Sequence, residues 1–403
     1  MTSLDSARGD RRALLLYANA GLFCDGYILS SIGIALVALP PRFHLNAAST
    51  GAIAAATLFG ILIGAPLFGR CTDRFGRRIL MIFDLCFFVV ACIAQAFVTN
   101  VWQLVALRFA LGLAIGADYP IAAALIGESV PARMRGAALN SMQVAWFFGA
   151  AVAYVAGYAL LGHAGPESWR WILASPAIFA ALGLLLRASA PESPLWLASR
   201  DSGALDATPF VAIFRRESRG ALAFVSAMWL LQVVPLFAIY AFAPAVLAAL
   251  GLTAKNSPAG SVAITLAFLI GSLLSLPLVE RWGRRPLCIA GFAVATLAFA
   301  LLLRADPALV VICFTAYAVG IGAAAGLELT YPVELFPTPM RAAATGVAAA
   351  VSRIGAFIGT FALPWLLAQY GIANVVKVAI ALSATGLIVA LAWAPETKGS
   401  QLA

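Results

Sequence analysis

The sequence predicts an all-α membrane protein of twelve transmembrane helices, arranged as two pseudo-symmetric six-helix bundles. Three observations carry that expectation. The chain is 63% hydrophobic and 11% charged, with a mean hydropathy of +0.97, well outside the usage of ordinary globular domains. Apolar windows long enough to cross a bilayer occur twelve times. Charge-dense turns between these windows recur at a nearly fixed offset close to half the chain length. Gly69-Arg-Cys-Thr-Asp73-Arg74-Phe-Gly76-Arg77-Arg78 is echoed by Glu280-Arg281-Trp-Gly283-Arg284-Arg285, an offset of 207. Glu128-Ser-Val-Pro131-Ala-Arg-Met-Arg135 is echoed by Glu334-Leu-Phe-Pro337-Thr-Pro-Met-Arg341 at 206, and Ala190-Pro191-Glu192 by Ala394-Pro395-Glu396 at 204. Three independent matches at one spacing indicate a duplicated unit in parallel order.

Taken in order, the first six spans fall at roughly 12–39, 49–70, 77–98, 101–127, 135–161 and 169–187. The second six fall at roughly 219–250, 258–279, 286–304, 308–333, 341–369 and 373–394. Residues 1–187 thus form an N-terminal bundle, 188–218 a cytoplasmic linker and 219–403 a C-terminal bundle. The linker is too short for a globular domain of its own. The first apolar run carries Asp25 and shows no small-residue cleavage site, so it reads as a retained span.

A formal net charge of +9 could suggest nucleic acid, but its distribution says otherwise. Nineteen of the 26 Lys and Arg residues, Arg187 among them, fall to one side of the predicted spans and five to the other. This positive-inside bias makes both termini cytoplasmic. Six cysteines show no paired spacing and mostly lie inside spans, as packing residues do. Both histidines, His44 and His163, fall in outer loops, leaving no intramembrane His relay or metal cluster.

The recurring turns have a mechanical logic. Gly69 and Gly76 permit close helix approach and a tight turn. Asp73 can sit at a helix N-terminus or pair with an arginine, making a latch that one conformation forms and another breaks. The duplicate supplies Glu280, Arg281, Gly283, Arg284 and Arg285. Glu128, Arg135, Glu192, Glu334, Arg341 and Glu396 join Arg74, Arg77 and Arg78 as the remaining members of the expected cytoplasmic gate.

Gly69 to Arg78 resembles the signature of the major facilitator superfamily. Pro191-Glu192-Ser193-Pro194-Leu-Trp196-Leu197, Pro395-Glu396-Thr397-Lys398-Gly399 and Glu334-Leu-Phe-Pro337 resemble its sugar-porter and metabolite:proton symporter branch. The resemblance covers the whole chain and implies two bundles around a central cavity that opens alternately to each side.

Asp25-Gly-Tyr27 on span 1 and Gly116-Ala-Asp118-Tyr119-Pro120 on span 4 place acids near mid-membrane, where carboxylates usually line a wet path and exchange protons. The Asp-Tyr-Pro run and Gln143 are similar to proton-coupled phosphate symporters. Unlike those, span 7 has no acid one turn after Trp229, and span 11 has no lysine. The paired glutamines of sugar porters are reduced to Gln232. Arg108 looks like the superfamily's span-4 arginine, which implies a part in proton coupling or in holding Asp25 or Asp118. Asp84 lies two turns from Arg77, which suggests a local latch contact. Asp25, Asp118, Arg108 and Glu328 are therefore the proton-coupling candidates.

Arg353 on span 11 is the sharpest substrate clue, because a mid-membrane guanidinium needs a partner and its fork suits a carboxylate or phosphate. A structural pair with Glu328 or Asp25 is the alternative. Tyr27, Tyr119, Gln143, Trp146, Trp229, Gln232, Tyr240, Tyr331 and Arg353 are the substrate-binding candidates, although a single aromatic residue of this kind is more often packing or an interface anchor than a ligand contact.

These features predict a secondary transporter without cofactor or metal, driven by the proton gradient and working as a monomer in a bacterial-type inner membrane. Proton symport of a sugar, sugar acid or other organic anion is the first reading. A proton-driven exporter of a drug or metabolite is the alternative, and a non-transporting solute sensor a third. No nucleophile–base set or phosphate-binding glycine loop supports an enzyme or an ATP-driven pump.

Overall fold

The computed structural model describes residues 2–36, 38–39, 43, 45, 47–163, 165–188, 190, 192–202, 210–250, 257–304 and 307–400. His44, Pro191 and the loop lysine Lys255 lie outside them. The N-terminal helices are α1 (Thr2–Ala35), α2 (Ala47–Phe75), α3 (Arg77–Gln95), α4 (Val101–Ser129), α5 (Ala132–His163), α6 (Ser168–Ala174) and α7 (Pro176–Arg187). A short α8 (Pro194–Asp201) precedes the C-terminal set. That set is α9 (Arg219–Ala249), α10 (Ser257–Arg281), α11 (Arg284–Leu302), α12 (Pro307–Ala325), α13 (Leu327–Leu335) and α14 (Arg341–Trp393).

Twelve segments among the described residues are long and apolar enough to cross a membrane. The α6–α7 and α12–α13 pairs each make one crossing. The long α14 makes two, with Gly371 leaving helical geometry at φ 72°. Leu185, Phe97 and Trp102 on the perimeter are exposed, as the hydrocarbon requires.

Small residues let the helices approach. A Cβ on Gly112 of α4 would collide with the Thr57 carbonyl and the Gly60 backbone of α2, so these helices touch backbone to backbone. Two seams join the halves: α2 against the first crossing of α14, and α5 against α10. They are related by the internal repeat, since spans 2 and 11 correspond to spans 8 and 5.

Candidate functional site

The repeated motifs converge at one face of the molecule. Gly76 (φ 97°) and Gly283 (φ 100°) turn the chain between α2 and α3 and between α10 and α11, a backbone conformation that glycine adopts without strain. Each turn delivers a helix N-terminus to a carboxylate. Glu192 accepts from the Arg77 amide at 2.9 and 3.0 Å and from the Arg78 amide at 3.1 Å. Glu396 accepts from the Arg284 and Arg285 amides at 3.0 and 3.2 Å. Acceptor charge at a helix N-terminus is the favourable arrangement.

The arginines then reach inward. Arg77 donates to Glu128 at 2.9 Å and to Asp73 at 3.4 Å. Arg284 donates to Glu334 at 2.7 Å and to Glu280 at 2.8 Å. Hydroxyls complete each set, Ser193 on Glu128 and Thr397 on Glu334, both at 2.5 Å. Arg74 and Arg281 stay exposed.

Four contacts cross between the bundles here. Asp73 accepts from the Ala343 amide at 2.8 Å, and Glu280 from the Ala137 amide at 3.2 Å. Arg341 pairs with Glu128 at 3.2 Å. Its repeat counterpart Arg135 instead donates to the Ser400 carbonyl at 3.2 Å. On Gly69, a Cβ would strike the Ala342 backbone. This face is closed.

Deeper in, Asp118 is ten residues before Glu128 and Arg353 twelve after Arg341, roughly 15 and 18 Å along their helices. At that depth lies a cluster drawn from both halves. The Arg353 guanidinium sits over the rings of Tyr119 (5.2 Å) and Phe237 (4.9 Å). Trp229 meets Tyr119 edge-on at 6.3 Å, and Trp146 meets Tyr240 at 5.7 Å. Glu328, Asp25 and Tyr119 lie within electrostatic reach of Arg353. Polar atoms around this cluster are sealed from solvent without a hydrogen-bond partner among the described residues: both carboxylate oxygens of Asp25, Nε and Nη1 of Arg353 and Nε2 of Gln232. The Trp229 indole faces Glu328, the Trp146 indole Tyr119 and the Tyr240 hydroxyl Thr265. Gln143 is buried on α5, three residues before Trp146. Buried polar groups are nearly always satisfied, and this concentration leaves donors and acceptors with which a polar guest could bond. A cleft lined by Ser30, Trp146, Phe237, Tyr240 and Thr360 opens above it.

A second buried cluster lies wholly in the N-terminal bundle. Arg187 donates to Asp84 at 3.0 Å and to Asp118 at 2.7 Å, and also to the Tyr17 and Met81 carbonyls. All three side chains are fully buried. Asp25 neighbours this triad but no member hydrogen-bonds it.

Several sequence expectations are corrected here. Arg187, counted with the basic loop residues, is buried at the end of α7. Asp84 pairs with Arg187 rather than joining Arg77, whose partners are Asp73 and Glu128. Arg108 holds neither Asp25 nor Asp118: ten residues before Asp118 on α4, it donates to the Ile28 carbonyl at 3.1 Å. Tyr27 turns from the cluster to bond Ser175 at 2.9 Å, because two residues along a helix from Asp25 is nearly the opposite face. Tyr331 packs against Phe224 and donates to the Pro395 carbonyl at 3.1 Å, on the closed face. Phe237 and Arg187 were not foreseen: one is an apolar residue among many, the other sits where a basic residue ordinarily marks topology.

The profile of the family described as sugar (and other) transporter matches residues 41–220 and 209–403. The metabolite transport protein YaaU of Escherichia coli (strain K12) is 39% identical, over 97% of this chain and 94% of that protein. The inner membrane metabolite transport protein YgcS of the same strain is 31% identical, over 94% and 90%. The solved structure of the proton:xylose symporter XylE of E. coli, bound to 6-bromo-6-deoxy-D-glucose, superposes with a TM-score of 0.87 over 98% of both chains at 21% identity. The relatives and structural neighbours are transporters rather than enzymes. By its family profile and its relatives, the chain belongs to the sugar (and other) transporter family; its twelve apolar helices make it a multi-pass membrane protein, with the fold of the major facilitator superfamily symporter XylE.

Proposed function

We propose that the protein couples proton entry to uptake of a small hydrophilic metabolite by alternating access, with both termini and the closed face cytoplasmic. The observation that carries this reading is Asp25. Its carboxylate is wholly buried, its two oxygens have no hydrogen-bond partner among the described residues, and it lies between the Arg187 triad and the central cluster. An ionised carboxylate there is costly and a protonated one is not, so the group is suited to carry a proton through the membrane. Asp118 is held by Arg187 and serves better as a fixed charge than as the carrier. XylE, whose fold this chain shares, is a proton:xylose symporter, which supports the coupling. Arg108 enters this reading only as surrounding charge.

In proteoliposomes, the wild-type protein is expected to accumulate solute against its gradient when a proton gradient is imposed, and to lose accumulation when an uncoupler is added. Asp25→Asn should abolish accumulation while keeping solute exchange. Undiminished accumulation by that variant overturns the assignment. An uncoupler that increases retention of solute in whole cells would reverse the direction and favour export.

A further inference from the structure

We propose that Arg353 is the anchor for a carboxylate on the transported solute, so that the substrate is a small organic acid, and that this acid replaces Glu328 as the counter-charge of the guanidinium. The inference rests on the transport reading above and narrows its substrate class.

Among the described residues, Arg77, Arg108, Arg187, Arg284, Arg341 and Arg353 are the arginines at most 1% exposed. The first five each donate at least one hydrogen bond to a carbonyl or carboxylate. Arg353 donates none to a described residue: Nε and Nη1 are sealed without an acceptor, and no described carboxylate lies within ion-pair distance. Leaving a buried cation this bare is costly. Its ring contacts account for its position but not for its unused donors. The faces of Tyr119 and Phe237 hold the guanidinium while its edge keeps the planar fork that matches a carboxylate. Tyr119 belongs to the N-terminal bundle and Phe237 to the C-terminal one. An anion on Arg353 is therefore gripped where the halves meet, as a transported solute must be.

Glu328 supplies the resident negative charge. The charged or titratable groups facing it are Arg353 from α14 and Tyr119 from α4, with the Trp229 indole from α9. On α5, Asn140 packs beside Gly326 at the start of α13, and α12 carries no charged residue. When a substrate carboxylate takes over Arg353, Glu328 loses its compensating cation. It then takes one proton from water, so acid binding is linked to proton uptake. The ring walls of Tyr119, Phe237, Trp146 and Trp229 favour a cyclic or planar body beside the carboxylate.

The test is a thermal-shift and titration series on the purified full-length protein in detergent. Its probes are benzoate, D-glucuronate, succinate and lactate, each against its uncharged amide, at mildly acidic and mildly alkaline pH. At least one acid should stabilise the protein while its neutral counterpart does not. Arg353→Gln should weaken that acid by about tenfold or more while keeping the wild-type helical spectrum and melting temperature without ligand. Glu328→Gln should retain acid binding and remove its dependence on pH. The proposal is overturned if no acid shifts stability, or if Arg353→Gln binds the acid as tightly as wild type. Counterflow of a neutral sugar undiminished in Arg353→Gln would also overturn it and leave the transport reading intact. Failure of every probe to cross the membrane in proteoliposomes of folded protein would strike the transport reading itself.

Discussion

Two aspartates deep inside a membrane protein can have opposite energetic roles, and here their partners decide which. Asp118 is clasped by Arg187 together with Asp84, whereas no described residue bonds either oxygen of Asp25. Removing one member of a buried charge cluster leaves the others uncompensated. Arg187→Gln should therefore lower stability by about 3–5 kcal/mol, read as a large drop in melting temperature of the detergent-solubilised protein. Asp25→Asn replaces an unpartnered acid with an isosteric amide, so its melting temperature should stay at or above that of wild type even as accumulation is lost. A variant pair with the reverse order of stabilities would show that Asp25, not Arg187, organises the N-terminal bundle.

Helix ends carry the recurrence. Gly76 and Gly283 occupy a backbone region that a Cβ-bearing residue enters only with strain, and a Cβ at either would also meet the capping glutamate. Gly283→Ala should cost about 1–3 kcal/mol, and Glu396→Gln, which leaves an acceptor but removes its charge from the start of α11, should cost less. Melting curves of the two variants check the order. Such turns were legible in the sequence because glycine, acid and arginine at fixed spacing have few other uses between apolar runs. The carboxylates that cap them were visible as a repeat, but their task was not. The facing of individual side chains within a span was hidden: Asp25 and Tyr27 share a motif and point to different neighbours. Where every face of a helix is apolar, periodicity gives no inside and outside. Arg187 was obscured for a related reason, since a span ending in arginine reads as a topology signal until the fold supplies Asp84 and Asp118.

Across the whole molecule, the closed face is less symmetric than the repeat that builds it. Both halves contribute a carboxylate to a backbone amide of the other, Asp73 to Ala343 and Glu280 to Ala137. Among the described residues only one half adds an ion pair: Arg341 reaches Glu128 across the seam, while Arg135 bonds the Ser400 carbonyl and leaves Glu334 to Arg284. A two-state gate shifts by the free energy with which its contacts favour one state. Glu128 is also held by Arg77 of its own bundle and by Ser193 of the linker, so losing Arg341 removes a contact specific to the closed face and leaves no unpaired acid behind. Arg341→Gln should therefore open this face more than Arg135→Gln does. The readout is thiol labelling of a cysteine introduced at Ala342, which is fully buried when the face is closed, in a background whose native cysteines are replaced. A loss of about 1–2 kcal/mol of closed-state preference corresponds to labelling faster by roughly five- to thirtyfold, with Arg135→Gln well below that. Equal rates in the two variants would mean that the paired backbone contacts alone hold the seam, and that the Arg341–Glu128 ion pair sets nothing in the cycle.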